Sequence, residues 1–177
     1  QAAQELYEKK LTTYPRTDAR VLSTAVAKEI GKNISKLKSY EPVAPFVERI
    51  MSEGRYRSIA KTPYTDDTKI TDHYAIIPTG QLGEWKNLTE LQKKVYDLIV
   101  RRFLAIFYPA AVFDKMTLQV GIKSETLTAS LRVCKDKGYL ICQDRGGGDP
   151  ENGEEAMNAS SDLEALIKKL KKGDPLF

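Results

Sequence analysis

Thr12-Thr13-Tyr14-Pro15-Arg16-Thr17-Asp18-Ala19-Arg20 places a phenol, two guanidinium groups, a carboxylate and three hydroxyls within nine residues. Because proline follows Tyr14 directly, we expect the tyrosine in extended backbone rather than in a helix. Side chains alternate along extended backbone, so Tyr14 and Arg16 are expected to point the same way. A phenol can attack a phosphodiester, and a guanidinium can hold two phosphate oxygens at once. An isolated Tyr-x-Arg is more often a half-buried strand tyrosine beside a solvated arginine.

Two longer motifs change that balance. The segment Leu6–Asp18 closely resembles the active-site segment of type IA DNA topoisomerases, those of the topoisomerase III type in particular. Downstream, Asp72–Thr79 reads Asp-His-Tyr-Ala-Ile-Ile-Pro-Thr and is similar to that family's His-x-Ala-Ile-x-Pro-Thr motif, at about the expected distance. The two motifs together favour this family over the structural interpretation of the tyrosine.

The resemblance implies a reaction and a set of site residues. Type IA topoisomerases cut one DNA strand through a 5′-phosphotyrosine, pass another strand through the gap and reseal the break. Tyr14 would be the nucleophile, and Arg16 would position the scissile phosphate and offset the charge that grows on its oxygens. His73 would contact a DNA phosphate. The DNA-binding residues that the resemblance implies are His73, Asp18, Thr79 and Arg20.

The resemblance also implies partners that the sequence does not itself contain. In this family a separate toprim domain binds magnesium, transfers the proton and places a lysine on the phosphate, whereas no Asp-x-Asp triad is present here. Since a free phenol is almost entirely protonated at neutral pH, we expect the chain alone to be inactive. The expected partners are single-stranded DNA and the remaining domains of the same topoisomerase, with magnesium bound outside this chain.

Composition sets looser limits. The chain has 177 residues, 41% hydrophobic residues and a net charge of +4, which fits one long domain or two short ones. Residues 146–177 carry 4 basic and 7 acidic side chains, so the positive charge lies in the preceding residues. This distribution is compatible with a phosphate-binding surface, but many proteins of other function share it. No apolar run approaches the roughly 20 residues that span a bilayer, and we expect a cytoplasmic protein with no membrane partner. Beginning at Gln1 without methionine, the chain is expected to be a piece of a longer protein.

Metal and disulfide chemistry have few candidate residues. Cys134 and Cys142 are expected to be reduced, buried thiols in strands, and a single histidine leaves a closed zinc site without enough ligands. Asp66 and Asp67 could suggest a metal site, but a turn is the favoured interpretation. Arg55, Arg57 and Lys61, in a predicted loop, are about equally consistent with phosphate contacts and with a solvated basic loop.

Periodicity predicts helices in the first part of the chain. We predict a helix over 2–10, a second from a Ser23 cap to about Ile30 with Gly31 as its stop, and a third that starts near Pro45 and ends at Gly54. Thr89–Gln92 fits a capping box that opens the clearest helix, which Pro109 stops. Arg101 and Arg102 are expected off its buried face. The core stripe predicted for it is Leu91, Val95, Leu98, Ile99, Phe103, Ile106 and Phe107.

Near residue 110 the spacing of the apolar residues changes from the helical period to a period of two residues. Apolar residues alternate over 116–122 and over 127–133, and residues 123–125 between them predict a hairpin turn. We therefore predict an α+β fold: residues 1–110 form a mainly helical strand-gating domain with the active-site tyrosine, and residues 111–177 form part of a β-rich arch or hinge domain. Residues 146–148 are predicted to be a flexible glycine linker, and residues 162–172 a short helix.

Two other function classes stay open at this stage. One is a non-catalytic module that binds single-stranded nucleic acid, which needs aromatic stacking platforms beside a basic groove. The other is an interaction scaffold with a vestigial tyrosine motif. The tyrosines that could stack on bases show no repeat in their spacing; they are Tyr7, Tyr14, Tyr56, Tyr64 and Tyr74.

Overall fold

A computed structural model of the protein describes residues 1–143 and Lys169. The described residues fall into two units: residues 1–109 with 141–143, and residues 110–140. Helices build the first unit and a two-stranded antiparallel sheet forms the second, which confirms the predicted α+β class. The assignment of 1–110 and 111–177 to gate and arch domains stays a prediction. The linker at 146–148 and, apart from Lys169, the helix at 162–172 lie outside the described residues.

Four α-helices carry most of the first unit: α1 (Ala2–Glu8), α2 (Thr24–Lys36), α3 (Ala44–Ser52) and α4 (Glu90–Ala105). Short 3-10 helices at Leu37–Ser39, Glu41–Val43, Arg55–Lys61, Asp67–Lys69, Trp85–Asn87 and Gly138–Cys142 connect or follow them. The largest fully buried side chains of the core include Tyr96, Leu6, Leu11, Ile30, Ile34, Leu37, Ile50 and Leu104. Within the part of the chain described here, each helix falls short of the length and apolar content needed to traverse a bilayer.

Helix α2 begins as predicted and ends later than predicted. The Ser23 hydroxyl accepts a hydrogen bond from the Val26 N–H at 3.2 Å, which confirms the cap. The helix does not stop at Gly31 but continues to Lys36. Gly31 permits close packing instead, because a Cβ added there would lie 2.8 Å from Cε2 of Tyr56. Gly31 is therefore explained by close packing against Tyr56 and does not end the helix.

Helix α4 has the predicted capping box but a different buried face. The Thr89 hydroxyl accepts from the Gln92 N–H at 3.3 Å, and the Gln92 side chain accepts from the Thr89 N–H at 2.9 Å. Leu91 and Leu98, predicted in the core stripe, are 64% and 56% exposed. The stripe was therefore wrong in its first half. The buried residues of α4 are Gln92, Tyr96, Val100, Arg101, Phe103, Leu104 and Ala105.

Two buried polar side chains explain why this face of α4 is buried. Gln92 donates a hydrogen bond to Glu5 of α1, so its amide is partnered when it turns inward. Arg101, predicted to lie off the buried face, is only 7% exposed. Its guanidinium bonds both oxygens of Asp97 at 2.9 Å and donates to the Cys142 carbonyl at 3.2 Å. Burial of these polar groups is affordable only because each has a partner.

The basic segment after α3 also differs from the prediction. Gly54 has φ +64 and follows α3, as a helix stop should. The predicted loop that carries Arg55, Arg57 and Lys61 is a 3-10 helix. Arg55 pairs with Glu53 and its guanidinium carbon lies 4.8 Å from the centre of the Tyr108 ring. Arg55 is thus engaged within the fold rather than presented as a solvated loop charge.

The second unit is a hairpin of β1 (Val112–Ile122) and β2 (Glu125–Asp136). Ile122 pairs with Glu125, so the turn is the two residues Lys123 and Ser124, one fewer than predicted. Lys123 has φ +55, the left-handed conformation that tight hairpin turns require. A register shift interrupts the pairing between Val112 and Phe113. The alternation in the sequence thus predicted both strands and their connection.

The two cysteines are free thiols in different settings. Cys134 lies in a strand as predicted, β2, but it is half-buried, so the prediction of a buried thiol was wrong for it. Cys142 is buried but lies in a 3-10 helix instead of a strand. Burial raises the pKa of the Cys142 thiol to about 12, which keeps it protonated at neutral pH.

Candidate active site

The two sequence motifs lie side by side, joined through their backbones. The Thr13 N–H donates to the Ile77 carbonyl at 2.9 Å, and the Thr79 N–H donates to the Leu11 carbonyl at 3.0 Å. Between these bonds the segments form an antiparallel bridge. Pairing of this kind fixes the position of each segment relative to the other. The tyrosine and histidine motifs therefore form one local structure.

Threonine side chains of the first motif reinforce this pairing. The Thr13 hydroxyl accepts from the Ile77 N–H at 2.9 Å and donates to the Ala75 carbonyl at 3.3 Å. The Thr17 hydroxyl donates to the His73 carbonyl at 2.9 Å. These hydroxyls satisfy backbone groups of the histidine segment, and so they help to position His73.

Thr79 closes the other end of the pairing. Its hydroxyl donates to the Lys10 carbonyl at 2.6 Å and accepts from the Gln81 N–H at 3.2 Å. Both hydrogen-bonding roles of this hydroxyl are thereby used within the protein. Thr79 lines the same cavity as Tyr14, but the hydroxyl acts first on the chain's own backbone.

Helix α2 supports the histidine segment from behind. The Asn33 side-chain amide donates to the Pro78 carbonyl at 3.2 Å. Gly80 has φ +80, and a Cβ added there would lie 2.4 Å from Cβ of Lys36 and 3.1 Å from the Asn33 carbonyl oxygen. A glycine is required here both for the backbone conformation and for the close approach to α2. The end of the histidine motif is thus fixed against a helix.

Three aromatic rings meet at the centre of the site. The Tyr14 and His73 rings have centroids 4.4 Å apart with planes tilted by 42°, and Tyr7 packs edge-on against Tyr14 at 5.3 Å. Tyr14 is half-buried, whereas His73 is exposed and Tyr7 is 40% exposed. The phenol therefore stands at an open surface beside the imidazole and is not sealed in the core.

A cavity of about 370 Å³ lies next to these rings. Its lining residues are Tyr7, Lys10, Thr12, Thr13, Tyr14, His73, Tyr74, Thr79 and Gln81. Three of the predicted site residues, Tyr14, His73 and Thr79, thus share one cavity. We call this space the tyrosine cavity.

Arg16 is not among the residues that line the tyrosine cavity. It is exposed and lines a different space of about 540 Å³, together with Pro15, Glu5 and Glu8 among other residues. Tyr14 and Arg16 thus line different cavities, which gives no support to the expectation that they point the same way. Bends at Thr13 and Pro15 interrupt the extended segment, so strict alternation of side chains does not hold across it.

Asp18 and Arg20 complete the predicted set. Both are exposed, and within the described residues neither makes a hydrogen bond or an ion pair. They follow Thr17 along the same segment and are accessible to a ligand. No geometry in the described part of the chain ties either side chain to the Tyr14 phenol.

The tyrosine cavity also contains residues that sequence reasoning did not assign to the site. Lys10 is exposed and has φ +60, directly after the end of α1. Left-handed residues are common after helices, but the usual residue there is glycine, and a lysine gives no signal of this conformation. Tyr7 lies one helical turn earlier, and the sequence marked it only as one of the tyrosines that could stack on bases.

The aspartate pair behaves as the favoured interpretation predicted. Asp66 accepts from the Thr68 N–H at 3.1 Å and caps a 3-10 turn, while Asp67 accepts from the Thr24 N–H at 2.8 Å at the start of α2. A hydrogen bond from Lys69, with help from Thr68, lowers the pKa of Asp66 to about 2. Both aspartates therefore serve the local fold.

Magnesium, which the family resemblance implies, needs a cluster of oxygen ligands. Among the residues that the structure describes, no group of three or more histidine, cysteine, aspartate or glutamate side chains is placed to hold a metal ion. The described residues therefore do not fit a magnesium site, and we derive no step through the metal here.

Comparison with known proteins agrees with the two motifs. The DNA topoisomerase family model matches residues 1–176. The chain is 33% identical over 174 residues to DNA topoisomerase 3 of Bacillus subtilis (strain 168), with 98% of this chain and 22% of that protein covered. DNA topoisomerase 3 of Bacillus licheniformis is 33% identical over 174 residues, and that of Bacillus anthracis is 32% identical over 180, with the same coverage. The chain thus spans about a fifth of the length of these relatives, and it belongs to the type IA DNA topoisomerase family.

Proposed function

We propose that this chain carries the nucleophilic tyrosine of a type IA DNA topoisomerase, which cleaves and reseals one DNA strand through a 5′-phosphotyrosine intermediate. The observation that carries the proposal is the Tyr14 phenol at an open cavity, 4.4 Å ring to ring from His73, within a motif of this family. The activity is proposed for the whole protein, since the chain matches 22% of its relatives' length.

The proposed reaction is a transesterification. The Tyr14 phenol oxygen attacks the phosphorus of a DNA phosphodiester, so that an O–P bond forms while the bond from phosphorus to the 3′ oxygen breaks. A base takes the phenol proton, and the departing 3′ oxygen gains a proton to become a hydroxyl. Resealing runs the same steps backwards. One ester bond replaces another, so the chemistry requires neither water nor nucleotide hydrolysis.

The remaining site residues bind the strand. His73 lies beside the phenol and is proposed to contact a phosphate oxygen. Arg16 lines the neighbouring cavity, so it would hold the scissile phosphate only after its long side chain swings towards the phenol; its exposure leaves it that freedom. Asp18 and Arg20 are proposed to contact the strand from the exposed segment that follows. Thr79 is proposed to contribute through the backbone it holds.

Activation of the phenol is proposed to come from elsewhere in the whole protein. No carboxylate lines the tyrosine cavity in the described residues, and those residues do not fit a magnesium site. The acceptor of the phenol proton would therefore come from another part of the protein. We propose that the chain alone neither cuts nor relaxes DNA, and that its partners are single-stranded DNA and the other domains of the same topoisomerase.

Substitution of Tyr14 by phenylalanine tests this function. In the whole protein with single-stranded DNA and magnesium, Tyr14→Phe should abolish the covalent 5′-linked product and DNA relaxation, while DNA binding mostly survives. Tyr64→Phe is the matched control, because Tyr64 is 44% exposed and does not line the tyrosine cavity. Covalent product from Tyr14→Phe would refute the proposal. Covalent product from the isolated chain would refute its inactivity.

One observation favours a second candidate, a module that binds single strands without chemistry. Tyr7, which is 40% exposed, packs edge-on against the half-buried Tyr14, and bases can stack on aromatic side chains of this kind. Under this alternative Tyr14→Phe would leave an aromatic platform, and the whole protein would show no relaxation to lose. Relaxation by the wild-type protein separates the two candidates directly.

A further inference from the structure

The backbone of Lys10 is held in an uncommon conformation. Its φ of +60 lies in the left-handed region, which few residues other than glycine adopt without cost. The hydrogen bonds that end α1 keep it there: the Lys10 N–H donates to the Tyr7 carbonyl at 2.8 Å, and the Leu11 N–H donates to the Leu6 carbonyl at 2.9 Å. The Lys10 carbonyl also accepts from the Thr79 hydroxyl at 2.6 Å. The backbone position of Lys10, from which its side chain extends, is therefore fixed.

Lys10 lines the tyrosine cavity together with Tyr14 and His73. Lys10 is the one lining residue with a permanent positive charge, and no aspartate or glutamate lines this cavity in the described part of the chain. By contrast, the cavity that contains Arg16 also contains Glu5 and Glu8. The charge next to the phenol thus favours an anionic ligand, and Lys10 supplies the positive charge that attracts it.

Hydrogen-bond donors in the cavity wall point to the same class of ligand. Thr12 is 2% exposed and lines the tyrosine cavity, and its hydroxyl has no hydrogen-bond partner within residues 1–143 or Lys169. A buried hydroxyl without a partner is uncommon in a folded protein. The lysine ammonium, the imidazole and this hydroxyl are the groups that a phosphate, with its several acceptor oxygens, can use.

We propose that Lys10 binds a phosphate of the nucleic acid strand in the tyrosine cavity and supplies the positive charge beside the attacking phenol. This inference rests on the proposed function, since it assumes that the cavity receives the strand that Tyr14 cleaves. Lys10 is then a substrate-binding residue of the site, and the capped end of α1 fixes the backbone from which its side chain extends.

The salt dependence of binding tests the contact directly. The experiment uses the whole protein with Tyr14→Phe to prevent cleavage, a short oligothymidylate as probe, and a series of potassium chloride concentrations. Each phosphate contact contributes about 0.7 to the slope of log affinity against log salt for a single strand. Lys10→Met should therefore reduce the magnitude of that slope by about 0.7. The methionine keeps the side-chain length and the same backbone cost, so folding is not expected to change.

Lys9→Met is the matched control, because it removes the same charge one residue away. The Lys9 ammonium donates to the Asn87 carbonyl at 3.0 Å, and Lys9 is not among the residues that line the tyrosine cavity. Its slope should equal that of the parent, and Lys10→Arg should restore the slope lost in Lys10→Met. Equal slopes for Lys10→Met and Lys9→Met would overturn the inference. Retention of covalent product by Tyr14→Phe would instead overturn the proposed function, so the two failures are distinguishable.

Discussion

Replacement of Thr13 by valine tests whether one hydroxyl holds the tyrosine and histidine motifs together. The valine keeps the branched shape but removes the acceptor of the Ile77 N–H and the donor to the Ala75 carbonyl. Ile77 is 3% exposed, so its N–H is left without a partner at a cost of about 1–3 kcal/mol. The lost bond to Ala75 adds about 0.5–1.5 kcal/mol, and we expect a total of about 2–4 kcal/mol.

Hydrogen exchange at the Ile77 amide measures this loss where it occurs. If local opening governs exchange, about 2–4 kcal/mol lowers the protection of that amide by roughly thirtyfold to a thousandfold. Thr13→Ser retains the hydroxyl and should keep most of the protection. The backbone bond from Thr13 to Ile77 is present in all three proteins, so it does not obscure the comparison. Equal protection in the valine and serine variants would refute the role assigned to the hydroxyl.

Three further predictions concern the framework around the site. Gly80→Ala should cost about 2–4 kcal/mol in thermal unfolding, from its positive φ and the clash with α2, whereas Gly83→Ala, with open space around it, should change stability by less than about 0.5 kcal/mol. Leu104→Ala should cost about 2–5 kcal/mol and Leu98→Ala less than about 0.5 kcal/mol in denaturant unfolding, and the reverse order would restore the predicted stripe of α4. The pKa of Asp66 falls on folding from 3.8 to about 2, so its stabilising effect is complete above pH 4 and disappears as the pH drops through 2. Asp66→Asn should flatten acid unfolding in that window, and an unchanged profile would contradict the assignment.

Helix α4 shows where sequence reasoning succeeds and where it fails. Its start was predictable, because a capping box depends on residues three positions apart. Its buried face was not, because hydrophobic periodicity assigns polar residues to the surface. Gln92 and Arg101 turn inward since partners from other parts of the fold satisfy them, and Leu91 and Leu98 consequently turn outward. Such partners are invisible to a pattern within one helix.

The candidate site likewise has features that the sequence predicted and features that it could not predict. The sequence located Tyr14 and His73 through their motifs, and the structure places their rings together. Periodicity could not predict that proximity, since it arises from pairing of segments far apart in the chain. Simple alternation of side chains was expected to place Arg16 beside the phenol, but Arg16 lines a different cavity, and bends at Thr13 and Pro15 interrupt the extended backbone. Lys10 escaped notice because its conformation after α1 is one that sequence rules associate with glycine.

Thr79 and Lys10 act as one unit at this site. The Thr79 hydroxyl has a single proton, which faces the Lys10 carbonyl at 2.6 Å and the Leu11 carbonyl at 3.3 Å, and it already accepts from the Gln81 N–H. Donation from that hydroxyl to a DNA phosphate would therefore leave the Lys10 carbonyl without this partner. The geometry favours a different arrangement: the threonine hydroxyl stays on the backbone, and the lysine ammonium is the group that we propose for the phosphate. Under this proposal the motif threonine supports the backbone from which the phosphate-binding lysine extends.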